Sequence, residues 1–178
     1  MNINPLKFQR DAVDKLTQTY LMLWKKEGRQ LPLVFKAPTG SGKTYITALF
    51  LRGLNHLPQW SEDKAFIWIT FSDDLAMQSK DKFKEYFENT LENDLLTVQD
   101  INRGKLSEND ILFLNWQKVV SKSAESRTLR RPEDEEMRKE TGKYFEDVID
   151  ATKNSGREII LVIDEAHTHV STTLAQNI

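Results

Sequence analysis

The 178-residue chain is long enough to bury a core, and its 39% hydrophobic and 29% charged content fits a globular domain with a well-solvated surface. A formal charge of −2 excludes a strongly basic nucleic-acid binder held by overall charge. The absence of cysteine excludes a disulfide framework and a thiolate metal site. The opening MNINPLKFQRDAV is no signal peptide, and no apolar run approaches the roughly 20 residues that span a bilayer. A cytoplasmic protein with no membrane partner is expected.

In chain order, Asn4-Pro5 predicts a helix start, with Val13, Leu16, Tyr20, Leu23 and Trp24 recurring on one face until EGRQ breaks the pattern. LPLVFKA (31–37) reads as a short buried strand with Pro32 near its start, where a missing N–H is tolerated. A helix over about 42–54 follows, with Ile46, Leu49, Phe50 and Leu54 inward. AFIWITF (65–71) is the next strand. Ser72 then caps a helix through about Leu91, with Leu75, Ser79, Phe83, Tyr86 and Phe87 on one side.

LLTV (95–98) suggests a short strand, and DILFLNW (110–116) a buried one. Residues 121–143 are charge-rich and mixed in sign; Met137, Tyr144, Phe145, Val148 and Ile149 place an amphipathic helix in the later part of a charged insertion spanning about 121–153. GRE (156–158) turns the chain into IILVID, the last strand. Buried strands separated by helices imply an α/β fold, a parallel sheet covered on both faces. Ligands of such sheets bind beyond the carboxyl ends of the strands.

One motif stands at such an end. APTGSGKT (37–44) joins the strand at 31–37 to the next helix, the setting a phosphate-binding loop requires. Gly40 and Gly42 permit the tight turn, and with Thr39 and Ser41 they offer backbone N–H groups to phosphate oxygens at a helix start. Lys43 would reach the β- and γ-phosphates, and Thr44 would give its hydroxyl to Mg²⁺. Ala37 replaces the first glycine of the general pattern, a mild departure. A second buried strand ends in Asp164, a carboxylate for the Mg²⁺ of a bound nucleotide such as ATP. Glu165 follows it and could orient or deprotonate the attacking water.

Together these motifs resemble the first motor domain of superfamily 2 helicases and translocases. APTGSGKT looks like their motif I and DEAH (164–167) like motif II; LKFQRDAV (6–13) is similar to their glutamine element, and ITFSDDLAMQ (69–78) to motif Ia. ILFLNWQKV, the charged insertion and GREIILVIDEAH look most like the restriction subunit of type III restriction–modification enzymes, with type I motor subunits a near neighbour. The resemblance implies a RecA-like P-loop fold over 1–178, with ATP and Mg²⁺ as cofactors. It assigns adenine recognition to Gln9, with Phe8 against the ring, and phosphate and Mg²⁺ binding to Lys43 and Thr44. Asp164 would hold Mg²⁺, Glu165 would activate water, and His167 would couple nucleotide state to the partner domain or DNA. Thr70, Phe71, Gln78, Asn115 and Gln117 become candidates for a nucleic-acid track, while Trp116, an aromatic flanking a buried strand, reads as core.

The resemblance also implies DNA, a second motor domain, a nuclease domain and a modification methyltransferase as partners. After DEAH the sequence holds only THVSTTLAQNI, with no Ser-Ala-Thr motif and no arginine-bearing motif of a second domain. The expectation is a first motor domain lacking its last strand, with one sheet edge left open. Such a chain would bind nucleotide, hydrolyse it slowly and hold DNA weakly. A P-loop module of another kind, such as a small-molecule kinase or regulatory ATPase, is the alternative, and a DNA-binding domain with a vestigial nucleotide site is a third.

Overall fold

The computed structural model describes residues 4–25, 32–57, 63–87, 94–101, 104–116 and 144–164. The break expected at 27–30, the charged stretch 121–143, and Gln117, Glu165 and His167 lie outside them. The chain divides into two compact units, Met1–Ser61 with Glu85–Glu88, and Glu62–Lys84 with Asn89–Ile178.

The first unit is built on two helices, α1 (Lys7–Lys25) and α2 (Lys43–Asn55). They pack through Leu16, which is buried on α1, and through the Tyr20 ring, set edge-on to Phe50 at 5.7 Å. Edge-to-face contact suits the ring quadrupoles and adds to the area buried. On α2 the expected Ile46, Phe50 and Leu54 are buried while Leu49 is only half-buried, and Tyr45, Ala48 and Leu51 are buried as well, so its apolar face is wider than the sequence suggested. The start of α1 differs from expectation by two residues. Leu6, not Asn4, stands at its N-cap, because the Gln9 side chain accepts the Leu6 N–H at 2.9 Å and so closes the reciprocal half of a capping box.

The second unit is a four-stranded parallel sheet. Its strands are β1 (Lys64–Thr70), β2 (Leu95–Leu96), β3 (Ile111–Asn115) and β4 (Glu158–Ile163), in the order β2-β3-β1-β4. Helix α3 (Asp73–Phe87) follows β1, and α4 (Tyr144–Asn154) precedes β4. Alternation along the strands gives the sheet two different faces. On one, Ala65, Ile67, Ile69, Leu112 and Leu114 form a core with Val148 of α4, Ile101 and Leu106, against which Trp116 packs half-buried, as expected of a core aromatic. On the other, Trp68 and Phe113 meet Phe83 of α3 at ring separations of 5.1 and 5.2 Å. Both faces of the sheet are therefore covered by helices, and the α/β expectation holds.

Helix α4 ends in a Schellman arrangement. Gly156 takes φ 84°, its N–H donates to Lys153 O at 2.9 Å, and Arg157 N–H reaches Thr152 O at 3.4 Å. That turn feeds Glu158 directly into β4, as GRE suggested.

Two expectations need correction. Among the described residues the strand expected at 31–37 is not formed: 32–38 carry no helix or strand, although Leu33, Phe35 and Ala37 alternate as half-buried positions with exposed Val34 and Lys36. The period of a strand is present but no described strand pairs with it, and a strand exists only where its N–H and C=O groups find a partner. Along α3, Ser79, Phe83 and Phe87 are buried as expected, but Leu75 is exposed and Ala76 and Lys80 are buried instead. The buried stripe starts one residue later, set by the Phe83 anchor under the sheet. Strand β4 forms the sheet edge among the described residues, with Leu161 left 41% exposed.

Candidate nucleotide site

The loop 37–44 is shaped by its glycines. Gly40 and Gly42 adopt φ 79° and 80°, a region that side chains rarely enter, and Ser41 N–H closes a turn onto Pro38 O at 3.2 Å. Gly42 is the N-cap of α2; no side chain caps it, and no acid stands in the first turn. The first bond within the helix runs from Ile46 N–H to Gly42 O at 2.8 Å. An uncapped helix start with its positive dipole end unneutralised is a site for anionic oxygens.

Two further observations fit a phosphate group here. The Ser41 hydroxyl oxygen is buried without a hydrogen-bond partner, and a buried polar atom of this kind calls for a ligand or ordered water. The Lys43 ammonium folds back over the loop, 3.5 Å from Ala37 O. Thr44 is half-buried in the same turn, and Thr39 is exposed on the loop.

Gln9 occupies both ends of its amide. Its Nε2 donates to Ser41 O at 3.1 Å while Oε1 serves the α1 cap. Phe8, next to it, is 50% exposed. Sequence reasoning placed Gln9 at the site but missed its grip on the loop, because a contact across 32 residues has no local signal.

The sheet places the other candidates on a different element. Asp164 continues β4 by one step: its N–H donates to Ile69 O at 2.9 Å, repeating the slanted bond from Glu158 N–H to Asp63 O at the strand's start. Asp164 therefore stands opposite Thr70, and Thr70 pairs with Asn115 on its other side. By alternation all three share the α3 face at the carboxyl end of the sheet. Thr70 and Asn115 are 3% and 6% exposed, and the Thr70 hydroxyl donates to Ser72 O at 2.9 Å. Phe71 and Gln78, by contrast, are exposed.

No group of three or more His, Cys, Asp or Glu side chains that could hold a metal ion occurs among the described residues, and no helix among them is long and apolar enough to cross a membrane. A family model described as type III restriction enzyme, res subunit, matches residues 2–178. No curated protein and no solved structure matches the chain.

Proposed function

The chain belongs to the family of type III restriction enzyme res subunits, whose N-terminal part is a helicase-like, ATP-binding motor domain of RecA-like fold, and we propose that residues 1–178 are the first motor domain of a DNA-dependent ATPase that works in restriction. The observation that carries this reading is the uncapped start of α2 behind Gly40 and Gly42, with the unpartnered Ser41 hydroxyl beside it. In it, backbone N–H groups at 40–44 and the Lys43 ammonium bind the β- and γ-phosphates of ATP, and Gln9 and Phe8 take the adenine.

The motif resemblance assigns Mg²⁺ to Thr44 and to Asp164; when bound, the ion would neutralise charge building on the phosphate oxygens. Glu165 aligns the attacking water and receives its proton, and His167 passes nucleotide state onward. Phe71 and Gln78, exposed where α3 leaves the sheet, contact DNA. An arginine supplied in trans is worth about 10³–10⁵ in rate in such motors. A polypeptide of residues 1–178 accordingly binds nucleotide and turns it over slowly, with a second motor domain, a nuclease domain and a methyltransferase as its working partners.

The test is fluorescent-ATP binding with and without Mg²⁺, comparing the natural chain with Lys43→Ala. At least tenfold weaker binding by the variant is expected; equal binding by the two proteins refutes the phosphate-loop reading.

A further inference from the structure

The turn of α2 that would grip phosphate is itself gripped from behind. Tyr45, the third residue of α2, is 6% exposed, and its ring lies 4.8 Å from that of Tyr86 at a 60° tilt. Seven residues further along α2, on the same face, the Arg52 guanidinium stands 5.5 Å from the centre of the Phe87 ring. The end of α3 thus touches α2 at two points. Tyr86 meets the turn carrying Lys43 and Thr44, and Phe87 meets the turn before the C-terminus.

We propose that Tyr86 is a positioning residue for the phosphate loop, acting through Tyr45. This rests on the nucleotide reading given above. The ring of Tyr86 fixes the Tyr45 side chain, and Tyr45 follows Thr44 directly, so its backbone orients the first N–H groups of α2. The glycines at 40 and 42 give the loop freedom to turn, and nothing in their own chemistry holds the helix start in one direction. A rigid aromatic contact behind it does. Burial raises both tyrosine hydroxyls above their usual range, so both rings stay neutral at ordinary pH and the contact is one of ring surfaces. The ring, and not the hydroxyl, does the positioning.

The experiment uses the 178-residue chain and mant-ATP, with melting temperature measured in parallel. Tyr86→Ala is expected to bind about three- to tenfold more weakly, the range of one aromatic pair. Tyr86→Phe is expected to bind within twofold of the natural chain. Phe87→Leu, which removes the ring contact at the far end of α2 and leaves Arg52 in place, is expected to lower the melting temperature without changing affinity. If Tyr86→Ala does not fold, Tyr86→Leu keeps apolar bulk without a ring and carries the comparison. Unchanged affinity in the Tyr86 variants, with binding lost in Lys43→Ala, overturns the role of Tyr86 and leaves the nucleotide site standing. An equal loss in Phe87→Leu also overturns it, because the effect is then general loosening of α2. If Lys43→Ala binds as the natural chain does, the nucleotide reading falls and this inference with it.

Discussion

Gln9 holds the loop at 37–44 by its backbone: its side-chain nitrogen donates to Ser41 O at 3.1 Å while its oxygen accepts the Leu6 N–H at 2.9 Å. One amide thereby joins the start of α1 to the middle of the loop. Gln9→Ala removes both bonds together. At about 0.5–1.5 kcal/mol for a typical bond, the loss should be about 1–2 kcal/mol, softened because the Leu6 end is exposed. Urea denaturation gives the stability change, and nucleotide affinity should fall in the same variant.

The same contact separates the two glycines of the loop. A Cβ on Gly42 would stand 2.8 Å from Gln9 Nε2, whereas a Cβ on Gly40 meets nothing within 4 Å. Both positions have positive φ, so either alanine variant carries backbone strain of about 1–2 kcal/mol. Gly42→Ala must in addition displace the Gln9 amide. It is expected to cost more stability and more nucleotide affinity than Gly40→Ala, and the double variant Gly42→Ala with Gln9→Ala should recover part of the difference. Denaturant midpoints of the four proteins test this; equal costs for the two glycines would refute the role given to Gln9.

Much of this arrangement was legible in the sequence, and the reasons differ from element to element. The strands at 64–70 and 111–115 were plain because residues buried on both sides leave long apolar runs, and the α4 turn was plain because Gly156 is the one residue there that takes φ 84° without strain. The turn within 37–44 was readable because glycines at 40 and 42 mark positive-φ positions just ahead of a helix. Residues 31–37 misled for a physical reason: an apolar, alternating segment reports a tendency to extend, while strand pairing depends on a neighbour that local sequence does not encode. Gln9 on Ser41, Tyr45 on Tyr86 and Lys80 on Asp100 were invisible for the same reason, since each joins residues distant in the chain.

Thr152 shows how the second unit depends on a single buried hydroxyl. It donates to Val148 O at 2.6 Å and accepts the Leu106 N–H at 3.0 Å, so it pins the loop before β3 to α4. Thr152→Val keeps the shape but leaves the Leu106 N–H buried and unpaired, at a cost of about 1–3 kcal/mol. Thr152→Ser should recover most of it. Thermal melting of the two variants decides the matter, and a valine variant as stable as the natural chain would count against this link.

Acid stability turns on Asp100. Burial alone would raise its pKa. The Lys80 ammonium at 2.9 Å and the Thr97 N–H and hydroxyl at 2.7 and 2.8 Å outweigh that effect and lower it from 3.8 to about 2. A folded pKa below the unfolded one means the carboxylate stabilises the fold above about pH 4, and that this contribution is lost as pH falls toward 2. Asp100 is 43% exposed, so solvent screening reduces the contribution to about 1 kcal/mol or less. Asp100→Asn should lower stability at pH 7 by that amount and flatten the decline between pH 4 and 2, measured by denaturant unfolding across the range.

The carboxyl edge of the sheet sets the final prediction, which concerns DNA. Thr70 and Asn115 stand side by side in the ladder at 3% and 6% exposure, and the Thr70 hydroxyl is already committed to Ser72 O. Side chains so enclosed contribute to the fold before they can reach a polynucleotide. Phe71, one residue on from Thr70, is 55% exposed, and Gln78 is exposed two turns along α3. Phe71→Ala and Gln78→Ala should therefore weaken single-stranded DNA binding by about three- to tenfold, as loss of a stacking or polar contact does, beyond any change in melting temperature. Thr70→Val and Asn115→Ala should show the opposite profile: lower melting temperatures, with DNA affinity altered only as far as folding is. Fluorescence anisotropy with a labelled oligonucleotide at two salt concentrations separates these outcomes, because binding to the phosphate backbone weakens as salt rises. Full DNA affinity in the Phe71 and Gln78 variants would remove this edge as a nucleic-acid track and leave exposed Phe71 to some other contact.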